Sequence, residues 1–187
     1  MSDTDGDLLR ALDDRQAITE MIYRYCRAVD RLDVALGHSI WHPDSYADYG
    51  TDVYQGDGRG VIDHVCAQHQ RALCHSHQVS NVLIDLDGDR ASSESYHFAT
   101  LRVAAGGSEV RQISVWGRYL DHWERREGRW GIARRLTIRD FDEIRDVTPL
   151  AEHDVGRRDR ADPSYAVLDR RGAGDEASPG AIGSDAT

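Results

Sequence analysis

The sequence predicts an α+β protein in which three N-terminal helices pack against a curved antiparallel sheet of four or more strands and enclose a cone-shaped pocket. Apolar residues recur at helical spacing early in the chain, whereas alternating segments joined by hairpin signals fill residues 78–141. Helices followed by consecutive antiparallel strands are typical of the α+β class. The 187 residues suffice for one domain with a core and a ligand-sized cavity.

Three helical segments are predicted before the strands. Residues 14–32 place one stripe of apolar side chains on a helix face: Ile18, Met21, Ile22, Tyr25, Val29 and Leu32. A short second helix is predicted over residues 34–41, because Pro43 cannot continue it. A turn-rich stretch then leads to a third helix over residues 60–73.

Long strands linked by hairpins make up the rest of the folded region. They are predicted over residues 78–86, 90–104, 110–126 and 129–141. Short Gly-containing turn signals separate them, at 87–89, 106–107 and 127–128. Because these connections are short, the strands are expected to be antiparallel neighbours in one sheet.

The folded domain is therefore placed at residues 13–148. Residues 1–12 are predicted to be a flexible N-terminus. Residues 149–187 are rich in charge, Gly, Ala and Ser, and they are predicted to be a mostly disordered tail with one possible ordered patch at 165–168.

The charge and composition exclude several classes of partner. A formal charge of −10 argues against nucleic acid and anionic membrane surfaces. No window approaches the ~18 consecutive apolar residues of a membrane span, and the acidic N-terminus does not resemble a signal peptide, so a cytoplasmic location is expected. Lysine is absent, which excludes Schiff-base chemistry on a lysine.

The segment from His64 to His77 is dense in His and Cys and raises the question of a metal site. Its spacings fit poorly, since no Cys-x-x-Cys and no His-x-x-x-His is present. We predict no metal and no cofactor. His77, at the junction of the third helix and the first long strand, is the best-placed histidine for a pocket wall.

Position alone leaves the polar candidates ambiguous. Asp30 lies at the margin of the apolar stripe, where an ion pair with Arg27 or Arg31 on the surface is as good an interpretation as a buried site. Tyr25 fits a core tyrosine. His97 lies in a strand and either lines a cavity or sits within the sheet.

Four segments together resemble the SnoaL-like branch of the nuclear-transport-factor-like superfamily, which has the cystatin-like cone fold. They are residues 14–33, 41–50, 75–81 and 117–135. The resemblance is nearest to the group of scytalone dehydratase, bile acid 7-alpha-dehydratase and hexachlorocyclohexane dehydrochlorinase. It covers about residues 13–142 and implies a cofactor-independent lyase.

The resemblance also implies a set of catalytic residues. The lyases share an Asp at the end of the first helix and a His before the first long strand, which match Asp30 and His77. The bile acid enzyme adds a Tyr and an Arg that match Tyr25 and Arg139. The arginine of the dehydrochlorinase aligns nearer Arg135, and its lysine falls where this chain has Tyr25.

The expected reaction is elimination of water from a hydrophobic hydroxy-carbonyl compound of steroid, polyketide or aromatic type, with His77 as base. Residues expected to bind that substrate are Trp41, Tyr49, Tyr54, His97, Phe98 and Trp116. An isomerase or cyclase on the same fold, a ligand-binding protein and a dioxygenase small subunit are the alternatives. A homodimer or homotrimer is expected, because the sheet back in this fold is usually covered by a second copy.

Overall fold

The computed structural model describes residues 3–149 and 156–168. Its elements in chain order are α1 (Asp3–Arg31), α2 (Val34–His38), β1 (Trp41–Asp48), β2 (Gln55–Asp57), α3 (Gly58–His69), β3 (Cys74–Asp87), β4 (Arg90–Gly106), β5 (Glu109–Arg126), β6 (Arg129–Val147) and α4 (Pro163–Leu168). The strands form one sheet in the order β2-β1-β6-β5-β4-β3. The predicted α+β fold with a curved sheet and N-terminal helices is confirmed.

The first helix is longer than predicted. It begins at Asp3 rather than at Asp14, so the described part of the predicted flexible N-terminus, residues 3–12, is helical. The flexibility of residues 1–12 stays a prediction. Leu8, Leu9 and Leu12 remain more than half exposed there, so tertiary packing does not explain the extension. Acidic residues near the N-terminus favour the helix instead, because they complement its dipole.

The region after α2 differs most from the prediction. α2 ends at His38, and residues 41–48, predicted as helix and turn, form strand β1. β1 pairs parallel to β6, with an irregularity between Trp41 and Tyr46 that accommodates Pro43. The sheet is therefore mixed, with four antiparallel pairings and one parallel pairing that sequence alternation alone did not reveal.

The long strands also extend beyond their predicted ends. β3 begins at Cys74, which places His77 inside the strand rather than before it. His77 pairs with Ala99 of β4. A register shift interrupts this pairing between Ser80 and Leu83, where Asn81 has a φ of 49°. Such a bulge increases the local bend and twist of the strand. β6 continues to Val147, past the predicted end at Phe141.

Residues 156–168, which we name the C-terminal strap, are ordered against the helices. The strap ends in α4, which contains the predicted patch at 165–168. Tyr165 is 7 % exposed, and its hydroxyl donates to Asp33 Oδ2 at 2.9 Å. Arg27 Nη1 donates to Ser164 Oγ at 3.0 Å. The strap thus begins before the ordered patch predicted at 165–168. The rest of the tail predicted to be disordered, residues 150–155 and 169–187, lies outside the described residues, and its disorder stays a prediction.

The core lies between the inner face of the sheet and helices α1 and α3. Its largest fully buried apolar side chains are Trp41, Trp123, Ile18, Ile22, Ile40, Ile62, Ile132, Val29 and Val61. Within the described ranges, no helix is long and apolar enough to cross a membrane.

Gly58, the first residue of α3, provides a test of this packing. A Cβ there would lie 2.0 Å from Trp41 Cε3 and 2.5 Å from Ser45 Oγ, so α3 approaches β1 only because Gly58 has no side chain. We expect Gly58→Ala to lower the free energy of unfolding by about 1–3 kcal/mol through overpacking. Urea denaturation followed by circular dichroism measures this change.

The matched control is Gly6→Ala in α1, where an added Cβ meets no atom within 4 Å. Because alanine favours a helix interior over glycine, this variant should be unchanged or more stable. Equal stability of the Gly58→Ala and wild-type proteins would contradict the close approach of α3 to β1.

Candidate active site

The cone holds a cavity of about 400 Å³ between the inner face of β4, β5 and β6 and the helices. Polar and apolar residues alternate around its wall. The lining residues are Tyr25, Tyr49, Gly50, Asp52, Val53, Val65, His69, His77, His97, Ala99, Leu101, Val115, Tyr119, Thr137 and Arg139. The volume suits a small organic molecule.

Asp30 and His77 form a close hydrogen-bonded pair at the edge of this cavity. His77 Nδ1 lies 2.7 Å from Asp30 Oδ1. The backbone N–H of His77 also donates to the same carboxylate, at 3.0 Å to Oδ1 and 3.1 Å to Oδ2. The two side chains are only 7 % and 15 % exposed. This geometry fixes the plane of the His77 imidazole. The other ring nitrogen, Nε2, takes no part in the contact with Asp30.

The orientation of the pair follows from the two elements that carry it. Asp30 lies in the last turn of α1, whose preceding turns bury Cys26 and Val29 against the sheet. His77 lies on β3, and the alternation of that strand turns its side chain toward the helix. Asp30 is therefore a buried partner of His77 and not the surface ion pair that its position alone allowed.

Two more histidines pack beside His77. The His69 ring stacks on it with a centroid distance of 5.1 Å and an interplanar angle of 25°. His75 Nε2 lies 3.1 Å from the carbonyl oxygen of Val29, which ties β3 to α1. Burial lowers the pKa of His69 to about 3, with a smaller contribution from the neighbouring imidazoles, so His69 is neutral at physiological pH.

Tyr25 and Tyr49 bring two phenolic hydroxyls together on another part of the wall. Their oxygens are 2.8 Å apart. Arg135 Nη1 donates to Tyr49 Oη at 3.3 Å. Burial raises the pKa of Tyr25 well above its usual value, and the adjacent phenols of Tyr49 and Tyr119 raise it further. Tyr25 therefore stays protonated and can donate a hydrogen bond.

Arg135 is a fully buried cation beneath these phenols. Its side chain is 0 % exposed, and it makes a bidentate contact to Asp121, with Nε–Oδ1 at 2.7 Å and Nη2–Oδ2 at 2.8 Å. Its guanidinium also lies 4.3 Å from the ring centroid of Tyr25 and 4.1 Å from that of Tyr119. Burial, the largest single influence, lowers the pKa of Arg135, but Asp121 and the phenols of Tyr49 and Tyr25 together raise it well above its usual value, so the arginine stays charged.

Arg139 lies at the mouth of the cavity rather than in its interior. Its side chain is 52 % exposed and pairs with Asp52 at 2.9 Å and with Asp142 at 3.6 Å. Arg135, Thr137 and Arg139 lie at alternate positions on the same face of β6, and the guanidinium that contacts the Tyr25 ring is that of Arg135. A catalytic role of Arg139 stays a prediction.

His97 lines the cavity and stacks on Tyr119 with a centroid distance of 4.3 Å. Gly117 makes room for it, because a Cβ at that position would lie 2.6 Å from His97 Nε2 and 2.1 Å from the carbonyl oxygen of Ile138. Burial lowers the pKa of His97 to about 4, assisted by the positive charge of Arg135. His97 is thus a second neutral imidazole in the wall.

Four of the residues expected to bind substrate lie away from the cavity. Trp41 is fully buried in the core, and Tyr54 packs on His64 with its hydroxyl donating to the carbonyl oxygen of Asp57. Phe98 and Trp116 stack on the opposite face of the sheet, 4.7 Å apart. For Phe98 and Trp116 the reason is that side chains alternate across a strand, so the cavity side belongs to their neighbours His97, Ala99 and Val115. Substrate binding by these four residues stays a prediction.

The outer aromatic stack continues from Trp116 to Phe141, whose rings are 4.8 Å apart. Phe141 is 59 % exposed. This exposed apolar surface lies on the sheet back, where the sequence predicted a contact between copies of the chain. The homo-oligomer stays a prediction.

Several cavity residues were not identified from the sequence. His69 and Thr137 line the wall, and Tyr119 stands between His97 and Tyr25. The signal that could have found Tyr119 is alternation, since it lies two residues from Gly117 on the same face of β5. His69 could not be found in this way, because the predicted third helix ran past it to residue 73.

The rings of His69, His75 and His77 lie close together, as metal-binding histidines do. Over residues 3–149 and 156–168, no group of three or more His, Cys, Asp and Glu side chains has the arrangement of a metal site. The tetrad Asp30, His77, His69 and His75 is held by stacking and by a single carboxylate instead.

Comparisons with known proteins agree with this architecture. The model of the SnoaL-like domain family matches residues 10–136. An uncharacterized protein of Mycobacterium tuberculosis strain H37Rv is 25 % identical over 137 residues, which cover 71 % of this chain and 90 % of that protein.

Two solved structures share the fold. Hexachlorocyclohexane dehydrochlorinase type 3 of Novosphingobium barchaimii superposes with a TM-score of 0.63 at 20 % identity, over 79 % of this chain and 97 % of that one. A proposed scytalone dehydratase of Novosphingobium aromaticivorans superposes with a TM-score of 0.62 at 20 % identity, over 81 % and 99 %. At this identity the similarity shows the fold alone.

The buried ion pair gives a first prediction for the site. Asp121→Asn leaves the Arg135 charge without its partner, and we expect the free energy of unfolding to fall by about 3–5 kcal/mol. Asp140→Asn is the matched control, because Asp140 pairs with Arg118 at the surface and its loss should change stability little. Urea denaturation of both variants measures the difference, and similar losses in the two would contradict the burial of Arg135.

The neutral histidines give a second prediction, on pH dependence. His97 has a folded-state pKa of about 4 against an ordinary value of 6.5, so the unfolded chain binds more protons between these values. Stability should therefore fall as the pH is lowered through this range. We expect His97→Phe to remove about 1–2 kcal/mol of the decline between pH 7 and 5, measured by urea denaturation at each pH. An unchanged pH profile in His97→Phe would show that the pKa of His97 is the same in the folded and unfolded protein, which contradicts this prediction.

Proposed function

Because the chain belongs to the SnoaL-like domain family, whose model matches residues 10–136, and because its cavity is lined by His77, whose imidazole contacts the Asp30 carboxylate behind it, we propose that it is a cofactor-independent lyase. The proposed reaction removes water from a hydrophobic hydroxy-carbonyl compound of steroid, polyketide or aromatic type. The observation that carries the proposal is the 2.7 Å contact between His77 Nδ1 and Asp30 Oδ1 at the cavity wall.

His77 is the proposed base. Since Nδ1–H donates to Asp30, the lone pair of the neutral ring is on Nε2. Nε2 takes the proton next to the substrate carbonyl, and the C–H electrons form an enolate. Asp30 stabilises the imidazolium that results, as the buried carboxylate does in other carboxylate–histidine pairs.

Tyr25 is the proposed donor to the developing enolate oxygen. Arg135 donates to Tyr49, so the Tyr49 hydroxyl is free to donate to Tyr25, and Tyr25 is free to donate into the cavity. A chain of hydrogen bonds that begins at a buried cation strengthens its last donor. When the enolate collapses, the C–O bond breaks and the departing hydroxide takes the proton from the His77 imidazolium, which leaves an enone and water.

Arg139, which the family resemblance implied as a catalytic residue, has a binding role at the cavity mouth in this proposal. It stands at the mouth with Asp52, which is itself 59 % exposed. A polar end of the substrate that points toward the mouth would meet this pair. Charge support for the reacting oxygen comes instead from Arg135, through Tyr49.

The arrangement favours elimination over proton shuttling by a carboxylate, the mechanism considered for an isomerase. Both oxygens of Asp30 already accept hydrogen bonds from His77. Among the described residues, the one carboxylate that lines the cavity itself is Asp52, which pairs with Arg139 at the mouth.

Turnover of a simple β-hydroxy ketone tests the proposal. The benzylic β-hydroxy ketone that dehydrates to benzylideneacetone is a suitable probe, because the enone product absorbs in the ultraviolet. We expect His77→Ala to lower kcat by about two to four orders of magnitude through loss of the general base. Asp30→Asn should lower kcat in the same direction, because the imidazolium loses its partner.

The control is His122→Ala, an exposed histidine whose ring contacts Ser92 outside the cavity. That variant should keep the wild-type rate. Near-normal turnover in His77→Ala would remove His77 from the mechanism, and an isomerised product of unchanged mass would replace elimination by isomerisation.

A further inference from the structure

The cavity wall contains buried polar atoms that no protein group satisfies. Among the described residues, His69 Nδ1, both ring nitrogens of His97, and Thr137 Oγ1 are buried without a hydrogen-bond partner. All three side chains line the cavity. A buried polar atom without a partner is costly, and such atoms are uncommon in native proteins. Four of the nine such atoms among the described residues thus belong to side chains of this one cavity, where a bound ligand would supply their partners.

We propose that His69 binds an oxygen of the substrate that is separate from the reacting carbonyl and hydroxyl, so that the natural substrate is a polyoxygenated compound. This inference rests on the proposed function where it calls the ligand a substrate. The binding of a ligand oxygen by His69 rests on the cavity alone. The elimination chemistry assigned above uses His77, Asp30 and Tyr25 and leaves His69 without a task.

His69 is suited to this role by its location. It is the last residue of α3, and its ring stacks face to face on the proposed base, with the centroids 5.1 Å apart. A group bound at His69 therefore lies within one ring width of His77. Stacking on His77 and contact with His75 fix the ring plane, so the direction of its nitrogens is set before a ligand binds.

The protonation state of His69 also fits a neutral oxygen. Burial holds its pKa at about 3, so the ring has one N–H donor and one acceptor nitrogen at physiological pH. A hydroxyl can use either nitrogen, and a carbonyl can use the donor. A carboxylate or phosphate would gain no charge attraction from this ring.

Arg158 of the C-terminal strap is the positioning residue for His69. Its Nη1 donates to the carbonyl oxygens of His69 and Ala72, both at 2.9 Å. These carbonyls end α3, where helical hydrogen bonds run out. The strap itself is held by the contacts of Tyr165 and Ser164 with α1 and the loop after it. The strap therefore links the end of α3 to the end of α1, which carries Asp30.

Binding of two inert ligands tests the proposal without turnover. The probes are benzylacetone, the saturated ketone that has no leaving hydroxyl, and its ring-dihydroxylated analogue. We expect the wild-type protein to bind the dihydroxylated ketone about three- to tenfold more tightly, as expected for one net hydrogen bond, measured by titration calorimetry. His69→Phe keeps the flat ring for stacking and removes the nitrogens, so it should abolish this preference and leave the affinity for benzylacetone unchanged.

The matched control is His64→Phe, on the same helix but packed on Tyr54 outside the cavity lining. It should keep the wild-type preference. Retention of the preference in His69→Phe, or equal binding of the two ketones by the wild type, overturns the proposal. Loss of the preference in His97→Phe but not in His69→Phe would assign the oxygen to the opposite wall and also overturn it.

The positioning role of Arg158 has a separate readout. Arg158→Ala should reduce the preference for the dihydroxylated ketone, and Arg158→Lys, which can still donate to both carbonyls, should restore it. An unchanged preference for the dihydroxylated ketone in Arg158→Ala would show that Arg158 does not position His69. Failure of the protein to dehydrate any β-hydroxy ketone would sink the proposed lyase activity and would leave these binding results unaffected.

Discussion

The site depends on one carboxylate that is bonded twice to the same residue. Asp30 accepts hydrogen bonds from the ring and from the backbone of His77, and in this way it fixes both the side chain and the strand that carries it. A carboxylate that bonded the ring alone would leave β3 free to shift against α1. Because a buried charge needs such partners, the position of α1 on the sheet and the orientation of the imidazole are determined together.

The second constraint is the charge placed at the bottom of the cavity. Arg135 would be unfavourable in a dry core without Asp121, and together they form a bidentate pair between strands β5 and β6. The rings of Tyr25 and Tyr119 lie over the guanidinium and share its positive field. The phenols thus gain a fixed orientation and polarity from a group that the ligand never touches.

The sequence predicted the features of the fold that depend on hydrophobic periodicity and on short-range residue spacing. The helical stripe of α1, the four long strands and the meeting of Asp30 with His77 were all anticipated, the last through family resemblance. The parallel pairing of β1 with β6 was not, because a segment that contains Pro43 and turn residues has no strand alternation to read.

The direction of the aromatic residues was a harder problem. A change of one residue in strand register moves a side chain to the other face, and this explains why Phe98 and Trp116 were assigned to the cavity whereas Ala99 and Val115 line it. Arg135 and Arg139 could not be separated by spacing either, since both lie on the same face of β6. Only their depth, 0 % against 52 % exposure, distinguishes the buried cation from the one at the mouth.

The length of β6 has a consequence for how such proteins diversify. The family match ends at residue 136, in the middle of a strand that runs to Val147, and Thr137, Arg139 and the strap all follow that point. Asp30, His77 and Arg135 precede it. Substitutions after residue 136 can therefore change the wall and mouth of the cavity without altering Asp30, His77 or Arg135, so relatives that align well over the shared segment need not have the same cavity.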